Sequence, residues 1–136
     1  MKNIFVNLFL LLLSSLIIVL LYWSFYPYKP MEIISPPKNL TPRIKAGEIF
    51  IYEANYCKYT DKSAYYRKQI INSFVVNLPE SVSNIPEGCK KVNVSIPIPE
   101  YLPADKYKIR TMAVYEMNPI RKIVITYDTD EFEIVE

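Results

Sequence analysis

The 136 residues include no histidine, two glycines, two cysteines and one tryptophan. Each scarcity excludes something. Without imidazole, a serine or cysteine nucleophile lacks its usual activating base. Zinc and copper sites built on imidazole go with it, and two cysteines alone do not complete a tetrahedral zinc site. So few glycines leave the turns to proline, asparagine and aspartate. A formal net charge of only +2 implies no strongly basic face for nucleic acid. No catalytic residue, cofactor or metal is assigned. What is abundant is tyrosine, isoleucine and valine, side chains that suit a pleated, half-buried surface.

No charged residue lies between Lys2 and Lys29. Inside that window, Ile4 to Tyr22 is apolar except for Asn7, Ser14 and Ser15. A helix over that run rises about 28 Å, close to the hydrocarbon thickness of a bilayer. The run closes on aromatics. Tyr22, Trp23, Phe25, Tyr26 and Tyr28 read as a membrane-interface belt. Residues 1–28 are therefore expected to be an uncleaved transmembrane signal anchor. A cleaved signal peptide, releasing a secreted β domain, is the competing reading. The long apolar run and the lack of a small-residue cleavage site weigh against it.

Flanking charge does not fix the orientation, with Lys2 on one side and Lys29 and Lys38 on the other. Cys57 and Cys89, both after the anchor, are expected to form one disulfide. That places the N-terminus in the cytoplasm and the domain in the periplasm or outside the cell. Two buried thiols in a cytosolic domain are the alternative.

Residues 29–42 hold Pro30, Pro36, Pro37 and Pro42 and are expected to be an extended, stiff linker, with Ile33 and Ile34 able to pair as an edge strand. Residues 43–136 are left for one domain. Glu48 to Tyr59 carries large side chains on both faces and reads as a central strand. Tyr66 to Leu78 alternates, with Lys68 and Asn72 out of phase in polarity. Pro79 to Gly88 reads as a loop. Val92, Val94, Ile96 and Ile98 give the cleanest period of two. Tyr107 to Tyr115, Ile123 to Tyr127 and Phe132 to Ile134 follow the same rule. About six or seven short strands with regular turn signals point to an all-β antiparallel sandwich or barrel.

Leu102-Pro103-Ala104-Asp105-Lys106-Tyr107 resembles the corner before a late strand in immunoglobulin-like domains. The resemblance implies an Ig-like, fibronectin-III-like β-sandwich of the broad bacterial and phage class, covering roughly residues 40 to 136. It makes Tyr107 a structural tyrosine corner, bonded back to the chain. It departs from antibody-type domains at Ile109, where those have a cysteine, and at Trp23, which lies in the anchor rather than a core.

Several groups invite a functional reading. Asp128, Asp130, Glu131 and Glu133 cluster without the spacing or glycine of a calcium loop, so a solvated turn is favoured over a cation site. Lys58, Lys90 and Lys91 flank the cysteines. They form either a basic patch for lipid headgroups or an acidic partner, or ordinary edge-strand charge, which is favoured. Asn118 and Arg121 bracket a tip turn that is equally a recognition loop or a structural turn. Tyr52, Tyr56, Tyr59, Tyr65 and Tyr66 divide between core and exposed surface. The expected role is a membrane-tethered, non-enzymatic interaction domain, an accessory part of an envelope or membrane complex. Its partners are the lipid bilayer and an unidentified protein, not nucleic acid. The alternative is a small phage-type membrane effector of lysis or superinfection exclusion.

Overall fold

The computed structural model describes residues 2–136. Helix α1 (Lys2–Phe25) takes up the apolar run and is long and apolar enough to cross a membrane. Its side chains are exposed around the whole circumference through Leu21, so this helix contributes nothing to the core of the domain. The hydroxyls of Ser14 and Ser15 donate to the carbonyls of Leu11 and Leu12 at 2.9 and 2.8 Å. The two serine hydroxyls inside the run are thereby satisfied within the helix. The helix stops before Pro27, whose ring disfavours helical backbone in the residue ahead of it.

The rest is mostly β, in antiparallel and mixed sheets. One sheet has three strands. β1 (Met31–Asn39) and β7 (Gly88–Pro97) flank β3 (Ile49–Lys58), which is central as its two-faced pattern predicts. The second sheet runs β2 (Arg43–Lys45), β10 (Phe132–Val135), β8 (Lys106–Asn118), β4 (Ala64–Ile71) and β5 (Val75–Asn77). β6 (Ser81–Ser83) also pairs β4, and β9 (Arg121–Asp128) pairs β8. All the pairings are antiparallel except that of β2 with β10.

The two sheets share one core. Phe50 of β3 stacks on Phe132 of β10 with ring centroids 4.2 Å apart. Tyr52 of β3 lies with its hydroxyl 3.4 Å from the Thr111 hydroxyl of β8. Ile70, Ile96, Ile109, Tyr107, Tyr115 and Ile134 complete the buried centre. Burying one such side chain contributes about 1.5–3 kcal/mol, so the alternating inward faces drive the assembly.

Three sequence expectations need correction. Most of the proline-rich stretch is not a free linker, because β1 pairs with β3 from Met31 to Asn39. Register shifts between Ile33 and Lys38 accommodate Pro36 and Pro37 on the outer edge. The segment read as a loop from Pro79 to Gly88 contains β6, and the run from Tyr66 to Leu78 breaks at Asn72 into β4 and β5. Ten strands form rather than six or seven, because pieces as short as β2, β5 and β6 fall below the length at which alternation shows.

Between β9 and β10 the strand facing β8 carries a bulge. Arg110 faces Asp128 and Tyr107 faces Phe132, so Lys108 and Ile109 oppose Thr129, Asp130 and Glu131. Buried Thr129 closes the gap. Its hydroxyl accepts from the Ile109 amide at 3.0 Å, and its own amide donates to the Ile109 carbonyl at 2.9 Å. Both glycines are spent on left-handed backbone, Gly47 at φ 85° and Gly88 at φ 113°.

Candidate interaction site

The tip of the β8–β9 hairpin meets the C-terminal end of α1. A helix end leaves carbonyls without partners and carries partial negative charge. Asn118 and Arg121 supply donors to it. The Asn118 amide donates to the Trp23 carbonyl at 3.0 Å and to the Tyr28 hydroxyl at 3.3 Å. The Arg121 guanidinium donates to the Ser24 carbonyl at 3.1 Å and to the Tyr26 carbonyl. It also lies over the Tyr28 ring, 5.6 Å from the centroid. Asn118 and Arg121 thus bind the end of the chain's own apolar helix. Of the belt residues, Tyr22, Tyr26 and Tyr28 pack in series with tilted rings, centroids 5.0 and 4.8 Å apart, while Phe25 is exposed.

Cys57 and Cys89 are joined by a disulfide that bridges directly opposed residues of β3 and β7. The neighbouring lysines do not form one patch. Lys58 is buried, and its ammonium donates to the Ile85 carbonyl, so it is a structural residue of the β6–β7 connection. Lys90 and Lys91 are exposed on β7, an edge strand. Lys58 departs from the flanking-charge reading because strand parity turns it inward, on the same face as Tyr56 and Ala54.

Tyr107 lies at the start of β8 and its hydroxyl donates to the Pro103 carbonyl at 2.9 Å. The acidic residues are dispersed. Asp128 pairs with Arg110 through two bonds of 2.8 Å, which holds its carboxyl below the usual range. Glu133 pairs with Arg43, and Glu131 approaches Lys108. Among the described residues no group of three or more acidic, cysteine or histidine side chains converges on a metal position.

Sequence reasoning missed a cavity of about 120 Å³ between the sheets. It is lined by Tyr52, Tyr56, Tyr66, Tyr127, Lys68 and Val94, among others, and reaches the edges at β6 and β7. Burial pushes the Tyr66 and Tyr127 hydroxyls well above the usual tyrosine range. It also lowers the Lys68 ammonium, which points to the core face of β4. The Tyr56 hydroxyl is buried without a hydrogen-bond partner. The tyrosines thus divide, Tyr52, Tyr56 and Tyr66 being buried while Tyr59 and Tyr65 are exposed. Lys68, the residue out of phase in an apolar alternation, was the available signal for this site. No family model matches the chain, and no curated protein matches it in sequence.

Proposed function

We propose that the chain is a membrane-tethered, non-enzymatic interaction domain, an accessory component of an envelope or membrane complex. In this reading α1 is a single-pass anchor with its N-terminus in the cytoplasm, and the β domain is an Ig-like sandwich in the periplasm or outside the cell. The observation that carries it is the hairpin tip fastened to the end of the apolar helix. That contact holds a rigid β domain against its anchor, an arrangement suited to presenting a surface at a membrane.

Other features support parts of the reading. The sheet orders β1-β3-β7 and β2-β10-β8-β4 agree with an Ig-like connectivity, as does the Tyr107 hydrogen bond before a late strand. The disulfide supports an oxidising compartment. Purification of the full chain in mild detergent from its native source, at native expression, tests the role. A stoichiometric protein partner is the expected result. A monomer without a partner, in a chain whose induction depolarises cells or blocks phage entry, would establish the effector reading instead.

A further inference from the structure

Three edges of the two sheets end at long strands, and they are not equally guarded. β1 is broken by register shifts around Pro36 and Pro37. β9 ends in the turn that is committed to the anchor. β7 is regular, pairing with β3 without a shift from Gly88 to Pro97. Its other side has no partner strand among the described residues.

The phase of β7 is set by the cysteines. Opposed residues lie about 4.5 Å apart at non-hydrogen-bonded positions and about 5.5 Å at hydrogen-bonded ones. Cys57 and Cys89 have Cα atoms 3.9 Å apart, which places them in the first class. Lys91, Asn93, Ser95 and Pro97 share that phase, so their backbone groups face away from β3. Pro97, which has no N–H to offer, fits such a position. The free edge therefore presents the N–H groups of Lys91, Asn93 and Ser95, with carbonyls between them.

The same edge borders the tyrosine cavity. Val92 and Val94 lie on its lining, only half-buried. Lys68 faces into it from β4, and Lys90 shares the core face with Val92. Lys68, Lys90 and Lys91 form no ion pair among the described residues, while six other pairs do form. Two lysines on the edge oppose pairing with a second copy of the same strand and favour an acidic one.

From these observations we infer that β7 is a docking edge for an extended segment of a partner protein, one that alternates apolar and acidic residues. This rests on the interaction-domain reading and names its surface. The segment adds a strand to the β1-β3-β7 sheet through the amides of Lys91, Asn93 and Ser95. Its apolar side chains close the cavity over Val92 and Val94, and its carboxylates, on the opposite face, meet Lys91.

The test uses the full chain in lipid nanodiscs and a synthetic peptide of roughly β7's length, alternating glutamate and valine. Hydrogen exchange is read residue by residue. The amides of Lys91, Asn93 and Ser95 should gain about tenfold protection or more, with those of Tyr52 and Ala54 unchanged. Asn93→Pro removes one outward donor without touching the β3 ladder and should abolish the gain. The double charge reversal Lys90→Glu/Lys91→Glu should weaken binding about tenfold and serves equally if the proline variant misfolds. A lysine–valine peptide should bind about tenfold more weakly. No protection on β7, protection on β1 or β9 instead, or equal binding of the lysine peptide would overturn the inference. If β7 stays unprotected while a partner still co-purifies, the docking edge is wrong and the interaction-domain reading survives. Loss of both removes that reading as well.

Discussion

Replacing Thr129 by valine tests how the β9–β10 bulge is held. Valine keeps nearly the same shape and removes only the hydroxyl. Thr129 is 3% exposed, so no solvent replaces the lost acceptor, and the Ile109 amide is left buried and unpaired. An unsatisfied buried donor costs about 1–3 kcal/mol. Thr129→Ser keeps the acceptor and loses one methyl, which costs about 0.8 kcal/mol. The order of stability should therefore be wild type, then serine, then valine. In urea, a loss of about 2 kcal/mol lowers the midpoint by roughly 1 M for a slope near 2 kcal/mol per molar. The assay is urea unfolding of the full chain in detergent, followed by tyrosine fluorescence, with hydrogen exchange at Ile109 as a local readout. A valine variant within about 0.5 kcal/mol of wild type, or one more stable than the serine variant, would refute the assignment of the Thr129 hydroxyl as the bulge acceptor.

Other perturbations address the junction, the ion pair and the disulfide. Arg121→Ala removes donors to two carbonyls at the end of α1, and protease cleavage between Tyr28 and Lys29 should accelerate about tenfold. Asp128→Asn should cost about 0.5–1 kcal/mol at neutral pH, since the pair with Arg110 is partly exposed. The Asp128 carboxyl is held below the usual carboxylate range by Arg110, so its contribution is present above the ordinary aspartate pKa and lost as pH falls through the lowered native value. The unfolding midpoints of wild type and Asp128→Asn should accordingly converge in acid. Reducing Cys57–Cys89, which closes a sequence separation of 32, should destabilise the domain by about 3–4 kcal/mol and shift its mobility on a non-reducing gel.

Long, regular elements were legible in the sequence. The apolar run gave α1, and Val92, Val94 and Ile96 gave β7, because one repeated contact with a core imposes one repeated polarity. The cysteine pair was legible as one even pair lying after the apolar run rather than through spacing. β1 was legible only at Ile33 and Ile34, and not over its full length, because prolines on an outer edge look the same as prolines in a spacer until the partner strand is known. Lys58 reads as surface charge by residue type, yet strand parity sends it inward to a carbonyl across a loop. Asn118 and Arg121 read as a tip, but their partners lie 95 and 97 residues away, beyond any local pattern. The tyrosine cavity depends on how two sheets diverge at their edges, and only Lys68 hinted at it.

The joint between α1 and β1 has a consequence for reach. Only residues 26–30 separate Phe25 from Met31, and two of their anchoring points are taken up by the hairpin tip. A long flexible tether lets a domain sweep a volume and capture distant partners at low local concentration. A five-residue joint, at most about 18 Å when stretched, allows almost no sweep. The domain works as a post of fixed height rather than a leash. In the proposed membrane-anchored reading, encounters depend on lateral diffusion of α1 in the bilayer, so a partner must itself come to the membrane surface, at the level where β7 stands.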